Sequence, residues 1–139
     1  MAATVHVRSL RTEPLAGRHV VVVEGHDESR DMIQAVLEAD GAAVTGVATV
    51  DSAVHFIGTV TVDLVLTDIS LRRTQDGVWL LQRAQATRYG SRIPFIAMTE
   101  SREHARALAR MGFAAVLIKP IDIMELTALV AGALDLGTP

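Results

Sequence analysis

Cysteine is absent from this sequence. That excludes a disulfide scaffold, a thiolate zinc site and a cysteine nucleophile. Positive charge is also in short supply: 13 basic against 16 acidic residues leave a net charge of −3. Binding to nucleic acid through phosphate neutralisation is therefore not expected. Long apolar runs are missing. Val20–Val23 and Ala114–Ile118 are far too short to span a bilayer. The opening residues MAATVHVRSLRTEPLAGR hold no apolar core flanked for secretion, so a cytoplasmic protein is the expectation. Lysine is nearly absent as well. Twelve of the 13 basic residues are arginine, and Lys119 stands alone. An arginine-favouring coding bias explains the twelve. The exception suggests a position where arginine cannot serve.

What is present suits one domain. The chain has 139 residues, 50% of them hydrophobic and 21% charged, enough for a single sizeable core. Five apolar runs rich in Val and Ile read as strands: His19–Glu24, Ala42–Ala48, Val62–Asp68, Ile93–Met98 and Ala114–Ile118. Most lack polar alternation, as strands do when both faces of a parallel sheet are covered. Between them, helical spacing marks Ser29–Asp40, Ser52–Gly58, Gly77–Arg88, Ser101–Met111 and Asp122–Leu134. Asp51 is the expected N-cap of the second helix. Asp122 and Glu125 have the spacing of a capping box. The fold class predicted is α/β, a (βα)5 doubly wound, flavodoxin-like sandwich with a five-stranded parallel sheet. Residues 1–18 read as a flexible N-terminal extension and 19–135 as the domain, with no output domain after it.

Such a sheet binds ligands at the carboxyl ends of its strands. Glu24, Asp68, Thr99 and Lys119 stand at those ends. Singly, each is explained by a helix cap, a turn or a solvated side chain. Together they place two carboxylates, a hydroxyl and an ammonium around one crevice. Phosphoryl transfer to a carboxylate needs this set. An aspartate can carry an aspartyl phosphate, and cations must neutralise the oxygens of the group in flight. Magnesium held by carboxylates and a carbonyl can serve on one side, and a compact ammonium on another.

The segments HVVVVEGHDESR, DLVLTDISLRRTQDG, IPFIAMTES and GFAAVLIKPID, in this order and spacing, resemble the receiver domains of two-component response regulators (CheY-like). The resemblance covers about 17–134. It implies that Asp68 is the phosphoacceptor and that Glu24, Asp68 and the Ser70 backbone carbonyl hold Mg2+. Thr99 is then the switch hydroxyl, and Lys119 contacts the phosphoryl group across a cis Lys119–Pro120 peptide. It implies a sensor histidine kinase or histidine phosphotransfer protein as donor. A downstream protein would read the face of the fourth helix, fifth strand and fifth helix, and homodimer formation stays open. No direct nucleic-acid or membrane partner is implied. The domain is expected not to be an enzyme beyond assisting its own phosphotransfer and dephosphorylation.

Four departures from the family pattern bear on function. The usual second acid after the first strand is Gly25, which should weaken the metal site. His26 or Asp27 would have to substitute by a bend of the loop, and Asp27 is expected instead to cap the first helix. Arg72 and Arg73 replace a proline-bearing loop, and the spacing to Asp76–Gly77 is one residue longer. Glu100 places a carboxylate after Thr99, which repels an arriving phosphoryl group. Val116 stands where the family has its aromatic switch. Arg102, Arg106 and Arg110 recur at helical spacing, a solvated face or a basic docking stripe. The alternative reading is a degenerate pseudo-receiver, an interaction module that works without phosphorylation. A small α/β enzyme or cofactor binder finds little support, since no GxGxxG follows the first strand and no Walker A motif is present.

Overall fold

A computed structural model describes residues 13–69 and 76–136 of the chain. Its five strands are β1 His19–Val23, β2 Ala43–Val47, β3 Leu64–Asp68, β4 Phe95–Thr99 and β5 Ala115–Ile118. They form one parallel sheet in the order β2-β1-β3-β4-β5. The helices are α1 Asp27–Ala39, α2 Val50–Thr59, α3 Gly77–Gln85, α4 Ala105–Arg110 and α5 Ile123–Leu136.

The unbroken apolar runs have a direct physical cause. Successive strand residues point to opposite faces, and here both faces are dry. Val20 and Val22 pack with Ile33 and Leu37 of α1 and Leu126 and Val130 of α5. Val21 and Val23 pack on the other side with Ile57 of α2, Leu80 of α3 and Leu108 of α4. Each fully buried aliphatic side chain contributes roughly 1.5–3 kcal/mol, so both faces are mostly aliphatic, with Thr67 and Thr99 the buried polar residues within the described strands. Edge strand β2 is half covered, which is why Thr45 and Gly46 are accepted there.

Several boundaries and caps differ from the sequence reading. The extension was drawn to residue 18, yet Leu15 is 0% exposed and its N–H donates to the Asp40 carbonyl at 2.9 Å. From Glu13 onward the segment is therefore fixed to the domain. Helix α2 is capped by Thr49, whose hydroxyl accepts the Ser52 N–H, and not by Asp51, which lies in its first turn. Gly58 lies inside α2 rather than closing it, whereas Gly41 and Gly112 adopt φ values of 101° and 115° that favour glycine. The fourth helical segment begins as a 3-10 turn, Arg102–His104, before α4. Arg102 is therefore off the α-helical stripe of Arg106 and Arg110, although all three are exposed. The Asp122 cap holds, with Oδ1 accepting the Glu125 N–H at 3.0 Å. Among the described residues no helix is long and apolar enough to cross a membrane.

Candidate functional site

The strand order reverses direction between β1 and β3, and a crevice opens there at the carboxyl ends. Val23 pairs with Thr67 and Asp68 with Met98. That register puts Glu24, one residue past β1, level with Asp68 at the end of β3. Thr99 pairs with Ile118, and the Lys119 N–H donates to the Thr99 carbonyl at 2.8 Å. The sheet thus delivers Glu24, Asp68, Thr99 and Lys119 to one edge. The Lys119–Pro120 peptide is cis.

Lys119 organises the charges. Its Nζ donates to Glu24 Oε1 at 2.7 Å and pairs with Asp68 Oδ1 at 2.8 Å. Glu24 is only 3% exposed, so this pairing compensates a buried carboxylate. The side chains of Asp68 and Lys119 keep 28% and 21% of their surface in water. Asp68 is therefore the carboxylate within reach of an incoming group. Burial raises the Asp68 carboxyl above the usual aspartate range. Lys119 opposes this, and the charges of Glu24 and Glu100 add to it. Burial alone would lower the Lys119 ammonium, but hydrogen bonds to Asp68 and Glu24 outweigh it and raise the ammonium. Both shifts fit a lysine that stays charged beside an aspartate costly to ionise.

The neighbouring loop is fully employed. Helix α1 is capped by His26, whose Nδ1 accepts the Ser29 N–H, rather than by Asp27. Asp27 instead holds Arg30 Nη2 at 2.8 Å, and Arg30 Nη1 donates to the Glu24 carbonyl at 2.9 Å. Neither His26 nor Asp27 takes the place of the acid missing at Gly25. A cleft of about 230 Å³ lies over the site, lined by Glu24, Gly25, His26, Asp68 and Asp76 among others. Two carboxylates already shared with an ammonium are a thin donor set for magnesium, which favours oxygen ligands in near-octahedral array. Among the described residues no cluster of three or more His, Asp or Glu could hold a metal ion. Of the magnesium set implied by resemblance, Glu24 and Asp68 are among the described residues and stand together in this cleft. The Ser70 carbonyl, Arg72 and Arg73 lie outside them.

Thr99 is buried and its Oγ1 accepts the Ser101 N–H at 3.1 Å. Glu100 faces solvent, close enough to raise Asp68. Val116 is half-buried beside a hollow of about 360 Å³ shared with Arg102, Ile118, Pro120 and Leu129. Phe113 is core, and Trp79 packs partly buried against it with the Arg83 guanidinium 5.3 Å from its ring centroid.

Three supporting residues escaped the sequence reading. Asp76 caps α3 by accepting the Val78 and Trp79 N–H groups. Its aspartate-glycine step before an apolar helix is a readable cap signal. Gly77 must lack a side chain, since a Cβ there would lie 2.8 Å from the Asp68 carbonyl oxygen and 2.5 Å from Ile69 Cδ1. Arg30 has no local signal, because its acceptor is a backbone carbonyl six residues earlier.

The response regulator receiver domain family model matches residues 20–131. This chain belongs to that family. An uncharacterised 14.6 kDa protein of Leptolyngbya boryana is 32% identical to the receiver domain over 120 residues, covering 85% of this chain and 91% of that one. The Escherichia coli Regulator of RpoS is 27% identical over 88% of this chain, which spans only 36% of its length. Among solved structures, the receiver domain of a Pseudomonas aeruginosa sensor histidine kinase is 27% identical with a TM-score of 0.77, over 86% of this chain and 99% of that one. That structure has a magnesium ion coordinated in its active-site cleft. The receiver domain of the Francisella response regulator 1452, 22% identical with a TM-score of 0.79 over 88% of this chain and 100% of its own, shares the fold.

Proposed function

We propose that this receiver accepts a phosphoryl group on Asp68 from a sensor histidine kinase or a histidine phosphotransfer protein. The observation that carries the reading is the Lys119–Asp68 pair at 2.8 Å, at the open edge of the sheet and braced by buried Glu24. In the transfer the donor N–P bond breaks and an Asp68 Oδ–P bond forms. The imidazole leaves with its electron pair and takes up a proton. Lys119 is placed to neutralise charge on the arriving group, and the Thr99 hydroxyl can donate to a phosphoryl oxygen once it turns from Ser101. The new charge then biases two states of the α4–β5–α5 face. With Val116 in place of a ring, that change runs through Thr99 and the backbone rather than an aromatic side chain. A downstream protein reads this face.

Incubation with acetyl phosphate and a divalent cation should add one phosphoryl group by intact mass, and Asp68→Asn should abolish it. Absence of the gain on wild type at high donor would favour the second reading, a pseudo-receiver that works by binding alone. Gly25, with no carboxylate beside Glu24, is the observation on that side. Magnesium as cofactor and a cytoplasmic setting belong to the same proposal.

A further inference from the structure

The face of the sheet that carries α2 and α3 is not fully closed. At the amino end of the strands a groove of about 720 Å³ lies between these helices, within the range of small-molecule sites. Its floor is core: Ile57, Leu80 and Ala84 are at most 8% exposed. The sequence explains the opening. Residues four apart share a helix face, so Gly58 repeats the position of Val54 and Ala84 that of Leu80. One turn on, each helix exchanges a large side chain for a small one or none. A Cβ added at Gly58 would meet no atom within 4 Å. Val60 and Tyr89, both exposed, stand at the rim.

The groove carries one charge. Among its described lining residues only Arg83 is ionised, and no Asp or Glu is present. Arg83 makes no ion pair among the described residues, and its guanidinium rests 5.3 Å from the centroid of the Trp79 ring. Carbonyls of the last turns are occupied. Phe56 and Gln82 accept the Val60 and Ala86 N–H groups, and Ala84 accepts that of Thr87. A cation would meet repulsion and few free acceptors here. An anion would meet a guanidinium beside apolar walls.

We propose that this groove binds a small amphipathic carboxylate, its apolar body on Ile57, Leu80 and Ala84 and its acid on Arg83. Apolar contact supplies most of the affinity, because an exposed ion pair is weak and screened by salt. The site lies at the end of the sheet away from Asp68 and does not rest on the receiver reading.

The test titrates octanoate into the full chain, below its aggregation concentration, and follows amide and indole N–H signals by two-dimensional NMR. Trp79 is the only tryptophan, so its indole gives one signal beside Arg83. Octanoate should shift this signal and those of Gly58 and Arg83 saturably. Octanol should bind roughly two- to fivefold more weakly, the scale of an exposed ion pair. Arg83→Gln should bring the two affinities together. Gly58→Leu suits a helix better than glycine and sets a side chain on the groove wall. It should keep the native far-UV circular dichroism and lose saturable binding. No saturable shift at the groove, equal affinity for octanol in wild type, or unchanged binding by a folded Gly58→Leu would overturn the proposal. So would self-association of the wild type that Gly58→Leu abolishes, which would give the groove to a second copy of the chain.

Discussion

The two ends of the sheet use polar groups in opposite ways. At the carboxyl end, three charged side chains from three strand ends share one cleft, and burial holds Asp68 away from its ordinary ionisation. At the amino end, the His19 ring lies 2.7 Å from the Thr61 carbonyl oxygen and 2.7 Å from Thr45 Oγ1. The His19 N–H donates to Asp63 at 2.7 Å, and the Tyr89 hydroxyl accepts the Val62 N–H at 3.1 Å. These bonds tie edge strand β2 and the loop into β3 to the centre of the sheet. One end concentrates charge in a cleft that is partly open to solvent. The other satisfies backbone and side chains locally and adds stability without reactivity. A fold can carry a costly site at one end because the other end and the core offset it.

Substitutions can break this contrast, and the largest effect belongs at the site. Lys119→Ala leaves Glu24 buried without its ion pair. It should cost about 3 kcal/mol of stability, read by urea denaturation. A cost no greater than that of an ordinary surface residue would mean that Glu24 is compensated by other means. Gly77→Ala drives a methyl against the Asp68 carbonyl and Ile69. It should cost about 1–3 kcal/mol and slow acetyl phosphate labelling, since it displaces the backbone that carries Asp68. At the amino end, His19→Ala should cost only about 1 kcal/mol and leave the labelling rate unchanged. A change in labelling would show the two ends to be coupled.

The smallest effect is the dependence on pH. The folded carboxyl of Asp68 lies above its unfolded value, so the native state binds more protons in the window between them. Its contribution is full below the unfolded value and lost as pH rises through the folded one. Relative to Asp68→Asn, wild type should therefore lose stability on going from acid toward neutral pH. Labelling should rise over the same window as the nucleophile ionises. Lys119 is also raised, and its contribution is lost only as pH climbs through its folded value, at the alkaline end. A wild-type curve parallel to that of Asp68→Asn would show Asp68 to be unperturbed.

Much of this was legible in the chain. The runs HVVV and FIAM lack alternation because both faces of their strands are covered, and that signal located the strands. The strand-end positions then named Glu24, Asp68, Thr99 and Lys119. Caps were harder to read. Asp27 and Asp51 looked like N-caps, but His26 and Thr49 cap, because the choice depends on where the strand-to-helix turn leaves the backbone. Leu15 resembled part of a loose lead-in, and only the packing of its side chain under α1 and α5 removed it from solvent. The spacing of Arg102, Arg106 and Arg110 suggested one helical face, which the 3-10 turn interrupts.

By itself, then, the sequence determined the order of elements, the parallel sheet and the identity of the residues at its open edge. Those follow from local periodicity, which each segment carries alone. Only the tertiary structure decided how those residues divide their charges. Glu24 and Lys119 are 95 positions apart, and no local pattern states that one ammonium serves two carboxylates. That depends on strand register and on burial, which raises the cost of every charge left unpaired. The lone lysine could be counted from the sequence. Its place between Glu24 and Asp68 became visible only when β1, β3 and β5 brought their ends together.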